Sequence, residues 1–143
     1  MVRALALPLV LSAAAACGDA TSDYCEAVEG HQKELSEILA DGGPTALLEA
    51  LPIFEDLADQ APRDLRDEWD TVIEALQALE DALKDAGVDP ATYDREHPPP
   101  GLSASERDRI EAAASDLADP RTVAAFDGVD QQARDVCKTP LSL

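Results

Sequence analysis

Aromatic residues are scarce in this 143-residue chain: one Trp, two Tyr and two Phe, 3% of the whole. A core drawn from it has to be built from Leu, Ile, Val and Ala, a mix that favours packed helices over pleated sheet. Positive charge is scarce too. Eleven Lys and Arg stand against 30 Asp and Glu, a formal net charge of -19. Phosphate backbones and anionic lipid surfaces repel such a chain, which argues against nucleic acid as a partner. No apolar run reaches the roughly 20 residues that a bilayer-spanning helix needs. Catalytic spacings are missing as well: there is no HExxH or ExxH pair, no GxSxG, no CxxC, no Gly-rich phosphate loop and no EF-hand loop. The expectation is therefore no enzyme, no cofactor and no metal site.

What is present starts with the first 25 residues. Arg3 precedes an apolar run from Ala4 to Leu11, and Ala13 to Ala16 supply small residues ahead of Cys17. This is the three-part plan of a secretory signal peptide over residues 1–16. The segment Ala14-Ala15-Ala16-Cys17 resembles a bacterial lipobox, although Ala14 stands where such motifs commonly have Leu. That resemblance implies a diacylglycerol-bearing Cys17, with the membrane as partner and the outer face of the cell membrane as location. Two or three acyl chains anchor a protein stably, whereas one is marginal. The same Ala-x-Ala spacing also suits ordinary signal peptidase, which would give a secreted protein. Three cysteines in an exported chain leave an odd one. If Cys17 is acylated, Cys25 and Cys137 remain as an even pair for an oxidising compartment.

The remaining chain is one domain by length, with 45% hydrophobic residues, enough for a single core. Residues 17–22 read as a flexible tether and 23–143 as a helical domain. Asp23 and Glu26 form a capping-box pattern ahead of Tyr24 or Cys25, Val28, Leu35 and Ile38-Leu39. A second helix, from about Pro44 to Gln60, turns Leu47, Leu48, Leu51, Phe54 and Leu57 inward, and Pro52 predicts a kink or break. A third, with Pro62 in its first turn, carries Leu65, Trp69, Val72-Ile73, Leu76, Leu79 and Leu83 at steps of three and four. Gly87 suits a left-handed C-cap with Val88 folding back. A proline-rich linker, Asp89 to Gly101, follows. Ser103-Ala104-Ser105-Glu106 opens a fourth helix along Ile110, Ala113, Ala114 and Leu117. Asp119-Pro120 interrupts it, and Val123, Phe126, Val129, Ala133 and Val136-Cys137 continue the stripe. The expected fold is all-α: an up-down bundle of about four helical columns, the second kinked at Pro52, the fourth split near Pro120. In that topology Cys25 and Cys137 fall at the same end and can join.

Residues able to carry chemistry each have a plainer reading. His31 near Glu34 and His97 after Glu96 lack metal-site spacing and read as solvated or hydrogen-bonded side chains. The acidic clusters Asp64 to Asp70 and Asp81 with Asp85 lie opposite the apolar stripe, as a solvated helix face does. Trp69 lines up with Leu65 and Leu76 as a core residue. Ser103 and Ser105 are helix-start residues.

The segments DYCEAVEGHQKEL, APRDLRDEWDTVIEALQAL and QQARDVCKTPL together resemble small actinobacterial lipoproteins. The resemblance implies acylation at Cys17, a helical fold and a Cys25–Cys137 pair, and implies no activity. The expected function is a lipid-anchored, extracytoplasmic binding or scaffolding module whose partner is a cell-envelope protein or a small ligand. The alternative is a carrier of small ligands or cations using its acidic faces or an interhelical groove.

Overall fold

In the computed structural model, which describes residues 18–42 and 45–142, the chain forms five helices. They are α1 (Gly18–Asp41), α2 (Ala46–Gln60), α3 (Arg66–Asp85), α4 (Ala104–Leu117) and α5 (Pro120–Gln132). A 3-10 turn, Arg63–Leu65, leads into α3, and a π turn, Ala133–Cys137, follows α5. Among the described residues there is no strand.

Helix α1 packs on α2, α2 on α3, and α3 on both α4 and α5. Across α1 and α2, His31 meets Asp56 while Asp23 shares a furrow with Asp59 and Gln60; across α2 and α3, Gln77 meets Glu55 while Arg66 lies by Asp59, so neighbouring columns run antiparallel. The α4–α5 junction, Asp116 to Thr122, lies beside Thr71, Glu74 and Ala78 in the middle of α3. Further along α5, Gly128 sits against Glu68 near the start of α3. Helices α4 and α5 therefore form one interrupted column antiparallel to α3. The protein is an all-α, up-down bundle, and the π turn brings its last column back to α1.

The few aromatics are concentrated at one point. Trp69 is fully buried and its indole N–H donates to the Tyr24 hydroxyl at 3.3 Å. Phe54 lies 5.7 Å from Trp69 in a tilted arrangement and 5.8 Å from Phe126 edge-on, geometries that suit the ring quadrupoles. Burial pushes the Tyr24 phenol up to about 12, with the Trp69 hydrogen bond opposing the shift. Around this cluster Val28, Leu35, Leu57, Val72, Leu76 and Leu83 are buried almost completely.

Local end signals work as their chemistry dictates. At the end of α3, Gly87 has φ +69, its N–H reaches the Lys84 carbonyl at 2.9 Å, and the Val88 N–H reaches Leu83 at 2.9 Å. This is a Schellman motif, and the returning Val88 is buried. Ser103 and Glu106 close a reciprocal capping box, and Asp119 caps α5 ahead of Pro120.

Four boundaries differ from the sequence reading. Helix α1 starts at Gly18, so Asp23 lies inside it and residues 18–22 are helical rather than a tether. No proline interrupts this stretch, and once Tyr24, Val28 and Leu35 are docked each added residue contributes another helical bond. Helix α2 runs unbroken through Pro52, which faces solvent, so the lost N–H falls on the outer side and the apolar stripe stays whole. Pro62 stands ahead of the 3-10 turn instead of inside the first turn of α3. On the last column Val129, Ala133 and Cys137 are buried and Phe126 is partly so, as expected, but Thr122 and Ala125 are buried as well while Val123 and Val136 are 45% and 49% exposed.

Candidate functional site

Cys25, on α1, and Cys137, at the end of the π turn, form a disulfide with their Cα atoms 5.0 Å apart, 112 positions apart in sequence. Widening of the last turn makes this possible: the N–H groups of Lys138 and Thr139 both turn back to the Ala133 carbonyl, and Lys138 takes a left-handed φ of 59. Cys17, the expected acylation site, lies outside the described residues. It directly precedes the first residue of α1.

The histidines do not meet. His31 Nε2 lies 2.9 Å from Asp56, linking α1 to α2, and His97 Nδ1 lies 3.0 Å from Asp94 within the proline-rich loop. Among the described residues no group of three His, Cys, Asp or Glu is placed to hold a metal ion. Asp64, Asp67, Asp70, Asp81 and Asp85 are exposed on α3 and the turn before it. Glu68 is the exception in that row: its Oε2 is buried without a hydrogen-bond partner, as is Oε1 of Gln132. Wider furrows run along the bundle, one of about 690 Å³ between the start of α1 and the end of α2, holding Asp23, Glu26, His31, Asp56 and Asp59.

A smaller, partly enclosed space lies elsewhere. Residues 86–103 connect α3 to α4 by far more chain than antiparallel neighbours need, since such connections commonly take about 2–8 residues. The segment is held at many points. Val88 is buried, Tyr93 and Leu102 pack partly against the core, and Asp89 accepts from the Ala91 N–H at 2.9 Å. Asp94 accepts from the N–H groups of Glu96 and His97. Its carboxyl is held below the usual range, first by the His97 side chain and then by the Glu96 N–H. Folded this way, the loop leans on α4 and closes a pocket of about 170 Å³. Tyr93, Pro98 and Ile110 supply apolar walls; Arg95, Arg107 and Glu111 supply the charges. The loop read in sequence only as a linker, and Tyr93, Arg95 and Arg107 were not singled out. Two signals pointed to them: the length of the connection, and three of eight arginines (Arg95, Arg107 and Arg109) within fifteen residues.

No protein-family model, curated protein or solved structure matches this chain.

Proposed function

We propose that the protein is an exported helical module, anchored outside the cytoplasm through acylated Cys17, that binds a partner or ligand there. The observation that carries this reading is how the cysteines divide. Cys25 and Cys137 are spent on each other, a bond that persists in oxidising compartments. Cys17 is left over, immediately behind an apolar, small-residue run. A thioether-linked lipid at Cys17 needs a deprotonatable thiol, and the pairing of Cys25 with Cys137 leaves no other cysteine of this chain to bridge to it.

The bundle also has a polarity that suits an anchored module. Helix α1 begins next to Cys17, while the α3–α4 connection sits at the opposite end, across the 20 residues of α3 or about 30 Å. A protein held at Cys17 would offer that far end to the surroundings. The -19 charge acts in the same direction, keeping the bundle off an anionic bilayer surface except where acyl chains hold it.

Metabolic labelling with an alkyne fatty acid tests the anchor. The wild-type chain should take up label and sediment with membranes; Cys17→Ser should take up none and be released. Equal release of both forms, or labelling that survives Cys17→Ser, overturns it.

A further inference from the structure

We propose that the pocket between the 89–101 loop and α4 is a binding site for a small organic carboxylate with a short apolar body. The proposal rests on the binding-module reading and names its ligand class, but it does not depend on the anchor.

Two independent features carry it. The first is construction. A connection of this length, pinned by a Schellman motif, by the Asp89 and Asp94 turns and by a capping box, is ordered at a cost in chain entropy that joining α3 to α4 does not require. What the ordering produces is the enclosed space. The second is charge. In a chain with 30 carboxylates, the guanidinium of Arg107 makes no ion pair among the described residues. Arg95 has only Glu111, at 3.9 Å, beyond hydrogen-bond reach. Two acids close by are engaged elsewhere: Asp94 with the loop backbone and His97, and Glu106 with the Ser103 hydroxyl and N–H. Arg95 and Arg107 line, with the single carboxylate Glu111, a space that Ile110, which is 2% exposed, lines together with Tyr93 and Pro98. Guanidinium forks match carboxylates in shape and charge.

Size limits the ligand. The pocket's volume is about 170 Å³. It falls below the range of about 300–1,000 Å³ typical of drug-sized sites. A carboxylate carrying three or four carbons is on the scale of that space. The net negative charge of the chain does not exclude an anion here, because exposed charges are largely screened beyond about 8 Å at physiological salt. Charge-assisted contacts act at bonding distance.

The test is an NMR titration of the full-length chain carrying Cys17→Ser, at neutral pH and constant ionic strength, with butyrate, acetate, inorganic phosphate and butylamine as probes. Butyrate should shift the Ile110 methyl and Tyr93 ring resonances saturably, acetate should bind more weakly, and butylamine should leave them unmoved. Arg107→Gln and Arg95→Gln should each weaken butyrate binding by about tenfold, with the far-UV spectrum unchanged because both side chains are exposed. Should Arg107→Gln fail to fold, Arg95→Gln on the loop carries the comparison alone. Shifts that grow linearly without saturation, phosphate binding as well as butyrate, or arginine variants that titrate like wild type each overturn the proposal. Acylation of Cys17 without butyrate binding refutes the ligand and spares the anchor; butyrate binding without acylation does the reverse.

Discussion

Removing the disulfide is the sharpest test of how this bundle is stabilised. The bridge joins residues 112 apart, so it closes nearly the whole folded chain into one loop. In the chain-entropy treatment, a loop of that size restricts the unfolded ensemble by about 4 to 5 kcal/mol. Set against a total stability of about 5 to 15 kcal/mol for a domain, this is a large share. For a chain of this length each kcal/mol moves the melting temperature by about 4 °C, so Cys25→Ala with Cys137→Ala should lower it by about 15 to 20 °C. Native packing contributes little to the change, since Cys137 is buried but small and Cys25 is partly exposed. The assay is thermal unfolding followed by circular dichroism, in a Cys17→Ser background so that no third thiol can exchange. Reducing agent supplies a control: it should lower the melting temperature of the bridged chain by the same amount and leave the double variant unaffected. A fall below about 5 °C would refute the reasoning, because it would mean that the unfolded chain gains little freedom when the link is cut.

Other expectations follow from the core, the caps and the glycines. Trp69→Ala should cost about 3 to 5 kcal/mol in urea unfolding, whereas Trp69→Phe should cost less because only the Tyr24 hydrogen bond and part of the ring volume are lost. Ser103→Ala removes the capping box and should destabilise by about 1 kcal/mol, measured the same way. The same substitution changes the acid response. The Glu106 carboxyl is held below its usual range, first by the Ser103 hydroxyl and then by the Ser103 N–H. A lowered folded-state pKa stabilises above the unfolded value of about 4.3 and is lost as pH falls through the folded value. The urea midpoint of Ser103→Ala should therefore drop less than that of wild type between about pH 5 and pH 2. Gly87→Ala and Gly128→Ala should move in opposite directions in a thermal melt. Gly87 sits at φ +69 with open space around it, so a side chain there costs about 1 to 2 kcal/mol from backbone strain alone. Gly128 lies inside α5, where Ala is favoured by about 1 kcal/mol and the added Cβ meets only the Glu68 Cγ, at 3.4 Å.

What could be read from the residues alone was what neighbours in sequence decide. The end of α3 at Gly87-Val88, the start of α4 at Ser103 and the break at Asp119-Pro120 are closed by hydrogen bonds spanning six residues or fewer. Composition pointed to helices, and the three-and-four spacing on α3 placed Trp69 in the core. The parity of the cysteines and the direction of the columns brought Cys25 to Cys137. The tertiary structure decided what depends on groups far apart. Docking of Tyr24 against Trp69 favours carrying α1 back to Gly18, past a local cap at Asp23. On the last column packing chose Thr122 and Ala125 for the inside and left Val123 and Val136 outside. The loop after α3 shows the division most clearly. Its prolines and turns are local features, but the pocket exists only because the chain folds over α4, placing Tyr93 and Arg95 beside Arg107 and Ile110. No pattern of spacing encodes that meeting, because those side chains converge through a turn in space and not through a helical repeat.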